Sequence, residues 1–305
     1  MIAWTLGFNL NSNQSIKTLE ETVTKDWRDY PLIVAHAGGA VRHSEQNYIY
    51  TNSLEALEQN YQLGQRLFEF DFTLTTDHQL AVLHDWSQSD NHSSASPMSL
   101  KEWKTSQIHA IPDADATFTP LTIDDILDQM IIRPDMYLIT DTKSFSLTED
   151  ETKLQFYLIY TAASRRNPEL LKRIIPQIYN HWMYEQIMSI YPWNNIIYTT
   201  YACPHSHEEV IAFADAHDNI KAITFPAYQP FTSAEITNSH QKGLLLFSHT
   251  INDSQELSTQ LAMGIDGVYT DLLLPHDLLE IQTTFHNTQA NNNETIPVND
   301  TVGSK

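Results

Sequence analysis

Short runs of apolar, β-branched and aromatic residues alternate with amphipathic segments through most of this chain. Nine runs read as strands: Leu32–His36, Leu67–Thr73, Leu80–His84, Met136–Thr142, Arg173–Tyr179, Asn195–Tyr201, Ile220–Pro226, Leu244–Thr250 and Gly267–Thr270. Several are continuously apolar, as befits parallel strands buried on both faces. The segments between them carry helix punctuation. Asn52-Ser53-Leu54-Glu55 resembles a capping box, Leu54, Leu57 and Tyr61 form an apolar stripe, and Gly64 is a natural stop. Asp253-Ser254-Gln255-Glu256 opens another helix with Gly264 near its end, and Thr122, Glu149 and Ser206 lie near three further starts.

Strand and helix alternating over residues 31–287 predict a single α/β domain, a (β/α)8 TIM barrel. Nine candidates are one too many. Leu67–Thr73 and Leu80–His84 are joined only by turn residues around Thr75-Thr76-Asp77-His78, too few for a crossover helix, so one run is expected outside the barrel. A doubly wound sheet is the rival, but the eight glycines form neither G-x-G-x-x-G nor a P-loop. Residues 1–30 read as an N-terminal extension and 288–305 as a polar, disordered tail.

Charge narrows the partners. With 38 Asp+Glu against 17 Lys+Arg the formal charge is -21, which repels nucleic acid. A small anionic substrate meets the same repulsion unless a bound cation or local basic group offsets it. Cys203 is the single cysteine, so neither an intrachain disulfide nor a multi-thiolate zinc site is expected. No apolar run is long enough to span a membrane. Met1–Phe8 lacks the basic start of a signal peptide, which favours the cytoplasm over export.

Barrel enzymes carry their chemistry at the C-terminal ends of strands. There the chain places His36, Glu69 and Asp71, His84-Asp85, and Asp141 with Lys143. In Phe68-Glu69-Phe70-Asp71-Phe72 the period of two turns both carboxylates to one face and the phenylalanines to the other. Two buried like charges call for a cation or a proton, and oxygen donors suit Mg2+ or Ca2+. Glu69, Asp71 and Asp141 are the candidate metal ligands; the plainer alternative is an internal salt bridge such as Glu69–Lys143. His36 and His84 are candidate acid–base catalysts, since imidazole titrates near neutrality. Lys143 is positioned to neutralise a phosphoryl oxygen. Asp85 either orients a histidine or caps the following loop. Cys203-Pro204-His205-Ser206-His207 has the look of a metal clip, but helix capping at the surface is the better reading. Gln177, Tyr179, Thr200 and Tyr201 either line a pocket or fill the rim.

Taken in order, His36-Ala37-Gly38, Asn52-Ser53, Glu69-x-Asp71, Thr76-Asp77, His84-Asp85, Asp141-x-Lys143 and Gly264-Ile265-Asp266-Gly267-Val268-Tyr269-Thr270-Asp271 resemble the glycerophosphodiester phosphodiesterases over roughly residues 31–275. That family shows His-Arg-Gly, Glu-Asn-Thr, Glu-x-Asp, His-Asp, Glu-x-Lys and a closing Gly-x-Asp-Gly-x-x-Thr-Asp. The resemblance implies a phosphatidylinositol-phospholipase-C-like barrel, a divalent cation on Glu69, Asp71 and Asp141, and His36 with His84 as the acid–base pair acting on a glycerophosphodiester. Three departures stand out: Ala37 replaces the family's arginine, leaving Lys143 or Arg42 to meet phosphate; Asp141 is shorter than the usual glutamate; and Ser248-His249-Thr250 stands where the family has tryptophan-threonine. The Asp141-x-Lys143 form also resembles sphingomyelinase-D-like members. Two alternatives follow: a lipid phosphodiesterase in peripheral contact with membrane through an aromatic rim at Tyr48, Tyr50 and Trp86, or a non-catalytic barrel that binds an anionic ligand.

Overall fold

The computed structural model describes residues 25–43, 46–86, 96–109, 116–143 and 147–294. Eight parallel strands close into a ring: β1 (Ile33–Ala35), β2 (Leu67–Leu74), β3 (Tyr137–Asp141), β4 (Ile174–Ile178), β5 (Ile196–Thr199), β6 (Ile220–Pro226), β7 (Leu245–His249) and β8 (Gly267–Thr270). Each pairs with its sequence neighbours, and β8 pairs back onto β1 through Val34↔Tyr269 and Ala35↔Thr270. Eight helices alternate with them: α1 (Leu54–Gln62), α2 (Ile123–Ile132), α3 (Glu149–Arg166), α4 (His181–Ile190), α5 (His207–Asp215), α6 (Ser233–Gln241), α7 (Ser254–Met263) and α8 (Pro275–Glu294). The architecture is the (β/α)8 barrel that the alternation predicts.

The surplus strand is Leu80–Val82, which turns back antiparallel on β2 through Phe72↔Val82 and Leu74↔Leu80. The bend is tied by Thr75, whose Oγ1 donates to Asp77 Oδ1 at 2.6 Å and accepts the amide of Gln79. His84 therefore reaches the rim on the return arm of a hairpin.

On β2 the phenylalanines Phe68, Phe70 and Phe72 pack outward with Leu57, Ile126, Leu127 and Phe156 of the helices, while Glu69 and Asp71 turn inward. The barrel floor is a second apolar cluster of Val34, Leu67, Tyr137, Ile139, Ile175, Ile197 and Phe247. Trp27 plugs it from below: it is fully buried and its Nε1 donates to Asn195 Oδ1 at 3.1 Å. Residues of the expected extension thus complete the core, though 1–24 lie outside the described residues. At the other end α8 runs to Glu294, into the stretch that composition reads as a tail; 295–305 lie outside the described residues.

Helix starts are set locally. Ser53, Thr122, Thr148, Asn180, Ser206, Thr232 and Asp253 each accept a first-turn amide on the side chain. The box-like Asn52-Ser53-Leu54-Glu55 resolves differently from its pattern. Ser53 caps α1, but Glu55 reaches out to the amide and hydroxyl of Thr119.

Candidate active site

Interstrand register decides where the acids meet. Asp71 and Asp141 are direct partners across β2 and β3, one level above the Glu69↔Ile139 pair, so two carboxylates stand side by side at the C-terminal end of the barrel. Oxygens of Glu69, Asp71 and Asp141 lie within 4.8 Å of one another, and all three residues are buried. Each has a defined support. Glu69 Oε2 accepts the Ala37 amide at 2.8 Å. Asn52, in the left-handed region at φ 50°, clamps Asp71 twice: its Nδ2 donates to Oδ2 at 2.8 Å and its Oδ1 accepts the Asp71 amide at 3.1 Å. Asp141 accepts from Tyr179 and Tyr201, the latter at 3.0 Å, and from the Lys143 amide and ammonium.

Lys143 Nζ lies 2.6 Å from Asp71 Oδ1 and 2.6 Å from Asp141 Oδ2. β3 ends at Asp141, and Lys143 adopts φ 48°, which folds its side chain back over the preceding carboxylate. The internal salt bridge weighed for Glu69 thus forms instead between Lys143 and the two aspartates. Burial pushes the Lys143 ammonium down, but those aspartates outweigh it and raise it well above its ordinary value. Asp141 is pushed up by burial and pulled below its ordinary value by Lys143 and its hydrogen bonds. Glu69 is the exception: burial, then the charge of Asp71, lifts it to about 8. Its Oε1 is buried and accepts no hydrogen bond.

That orphaned oxygen is a test of fit for a cation. A carboxyl held up to about 8 by burial and the charge of Asp71 is one that a bound cation would ionise, and a site of carboxylate oxygens alone matches a hard divalent ion. The residues present fit one.

Both candidate histidines line a single pocket of about 600 Å³ beside this cluster, together with Tyr50, Asp141, Lys143, Tyr201 and His249. His36 follows β1 at the start of a tight turn in which Gly38 takes φ 84° and a Cβ would come within 2.8 Å of the Phe70 ring. His36 Nδ1 is 2.8 Å from Asp271 Oδ1, while Asp271 Oδ2 accepts Asn252 Nδ2 at 2.7 Å. Burial lowers the His36 ring, but the Asp271 hydrogen bond and the charge of Glu69 overcome it and lift the imidazole to about 9. His84 Nδ1 is 2.8 Å from Asp85 Oδ2, so the carboxylate orients the ring. Tyr50 stands between them, its ring edge-on to His36 at 4.6 Å and to His84 at 5.2 Å.

Asp271, Asn52 and Tyr50 carry this geometry without having stood out as chemistry. Asn52 reads as a helix start and Asp271 as the end of a motif, and nothing in one dimension joins His36 to a residue 235 positions away. Tyr179 and Tyr201, left open between pocket and rim filling, both bind Asp141. Arg42 is spoken for elsewhere: its guanidinium donates to Asn60 Oδ1 at 2.7 Å and to the Leu272 carbonyl at 2.6 Å. The Cys203–His207 segment is helix-start chemistry, with Ser206 capping α5, His205 stacked on His181 and His207 beside Glu235. Of the three aromatics that a lipid phosphodiesterase would present, Tyr48 is buried against Phe118, Tyr50 lines the pocket and Trp86, half-buried, packs edge-on to Trp103. No helix among the described residues is long and apolar enough to cross a membrane.

The sequence model of the glycerophosphoryl diester phosphodiesterase family matches residues 36–273. No curated protein sequence matches the chain significantly. Solved structures share the fold at low identity. A glycerophosphodiester phosphodiesterase from Parabacteroides distasonis is 20% identical with a TM-score of 0.63, over 84% of this chain and 97% of that one. An Oleispira antarctica phosphodiesterase in complex with the product sn-glycerol-3-phosphate is 17% identical with a TM-score of 0.61, again over 84% and 97%.

Proposed function

We propose, starting from the fact that this chain belongs to the glycerophosphoryl diester phosphodiesterase family and is a phosphoric diester hydrolase, that it cleaves glycerophosphodiesters between His36 and His84 over a divalent cation held by Glu69, Asp71 and Asp141. The observation that carries this reading is the pair of carboxylate-oriented imidazoles lining one pocket beside the only cluster of potential metal ligands among the described residues. The product named for the Oleispira antarctica relative supports glycerol 3-phosphate as what is released.

The roles divide by environment. His36, whose Nδ1 is engaged by Asp271 and whose ring is lifted to about 9, enters the reaction protonated and donates to the leaving alcohol. His84, half in solvent beside Asp85, takes the proton from the attacking hydroxyl, either water or the substrate's own neighbouring alcohol. Lys143, the basic side chain that lines the pocket, neutralises the phosphoryl oxygens where Ala37 offers no charge. When bound, a divalent ion supplies Lewis acidity and a template for the phosphoryl group. Mg2+ and Ca2+ both suit the donor set.

The test is hydrolysis of glycerophosphocholine with and without added Mg2+ or Ca2+. His36→Ala is expected to lower turnover by on the order of 10³-fold, the range of one acid–base group, and Glu69→Ala to abolish the response to added metal. Wild-type rates in either variant overturn the assignment. Micellar and soluble substrates assayed side by side separate a lipid phosphodiesterase from this reading. Tyr228, 77% exposed at the pocket, is the aromatic a lipid surface would meet.

A further inference from the structure

The aspartate oxygens that a divalent ion needs are already in the hands of an ammonium. Lys143 Nζ bridges Asp71 Oδ1 and Asp141 Oδ2 at 2.6 Å each; Tyr201 also donates to Asp141 Oδ2, and the remaining oxygens of those two residues accept from Asn52, Tyr179 and the Lys143 amide. Glu69 Oε1 is the one buried carboxylate oxygen of the cluster that meets neither a hydrogen-bond donor nor an ammonium. An ion seated among all three acids must draw on the same lone pairs as Lys143, and two cations sharing them at contact distance repel.

We propose that the Lys143 ammonium and a divalent cation compete for one seat between Asp71 and Asp141, so that loading the metal turns Lys143 out toward the substrate phosphate. Three features favour an exchange over simple coexistence. Lys143 is held by side-chain charge and not by a strand, since β3 stops at Asp141 and the lysine sits in the left-handed region at φ 48°. It already lines the pocket, so leaving the aspartates carries it into substrate space without crossing the core. Finally, Ala37 and the engaged Arg42 leave the phosphate in want of a basic partner. Metal occupancy and anion binding are then coupled: the ion creates the second positive charge by displacing it.

This inference rests on the metal reading above, and calorimetry on protein stripped of divalent ions tests the two apart. Lys143→Met, close in length and uncharged, is expected to bind Mg2+ or Ca2+ about tenfold or more tightly than wild type, since removal of one neighbouring like charge is worth at least that much. Inorganic phosphate is expected to bind metal-loaded wild type at least tenfold better than metal-loaded Lys143→Met. The double variant Glu69→Gln/Lys143→Met should lose the tightened metal binding, which guards against a misfolded single variant mimicking the effect. Equal or weaker metal affinity in Lys143→Met overturns the exchange while leaving the metal site standing. Absence of divalent binding in wild type and in Lys143→Met alike overturns both.

Discussion

At the scale of single residues the pocket is defined by opposed titrations. His36 is lifted to about 9 by its Asp271 bond, whereas burial and the neighbouring positive His36 pull His249 down to about 3. His249 lines the same pocket, and its Nε2 is buried without a hydrogen-bond partner. The sign for stability follows from protons bound. Unfolded His249 takes up a proton near 6.5 while the folded ring stays neutral down to about 3, so stability is lost as pH falls through that window. Between pH 7 and pH 5 the loss is roughly 2 kcal/mol. His249→Phe is expected to remove that increment, read from urea melts at the two pH values; an unchanged difference refutes it. For His36 the sign is opposite, with stability present below 6.5 and lost as pH rises through about 9. Asp271→Asn should bring the His36 ring back toward its ordinary value by NMR titration and lower turnover. A ring still titrating near 9 would show that Asp271 is not what holds it.

At the scale of elements, most of the barrel was legible because its strands are buried on both faces and its helices start on side-chain caps. Period two alone put Glu69 and Asp71 inside and three phenylalanines outside, as they stand in the barrel. The short turn after Thr73 marked one of two runs as surplus without saying which; it is Leu80–Val82, turned back by the Thr75–Asp77 bend, so His84 arrives from a hairpin. The roles of Asn52 and Asp271 escaped, because their work is to orient a residue remote in sequence. The Trp27–Asp29 turn carries a prediction of its own. Trp27 seals the floor under Val34, Leu67 and Phe247, so Trp27→Ala should cost about 3–5 kcal/mol in a denaturant melt. A loss below 1 kcal/mol would mean that the plug is dispensable.

At the scale of the whole molecule, the charge of -21 opposes a phosphodiester of net negative charge as it approaches. Screening should therefore help: kcat/KM for an anionic substrate is expected to rise a few-fold between about 0.01 and 0.15 M salt, as the Debye length falls from roughly 30 to 8 Å. A fall over that range would point to local positive charge at the pocket mouth governing capture.

The seam between β8 and β1 has a temporal consequence. All six side chains named for catalysis and metal binding are synthesised by Lys143, yet the carboxylate that engages His36 lies just beyond β8, in the last part of the ring to emerge. A nascent chain arrested after His249 would hold the full complement of reactive groups on an open, unjoined sheet. Competence in this protein arrives late in translation, with the stitch that fastens its last strand to its first.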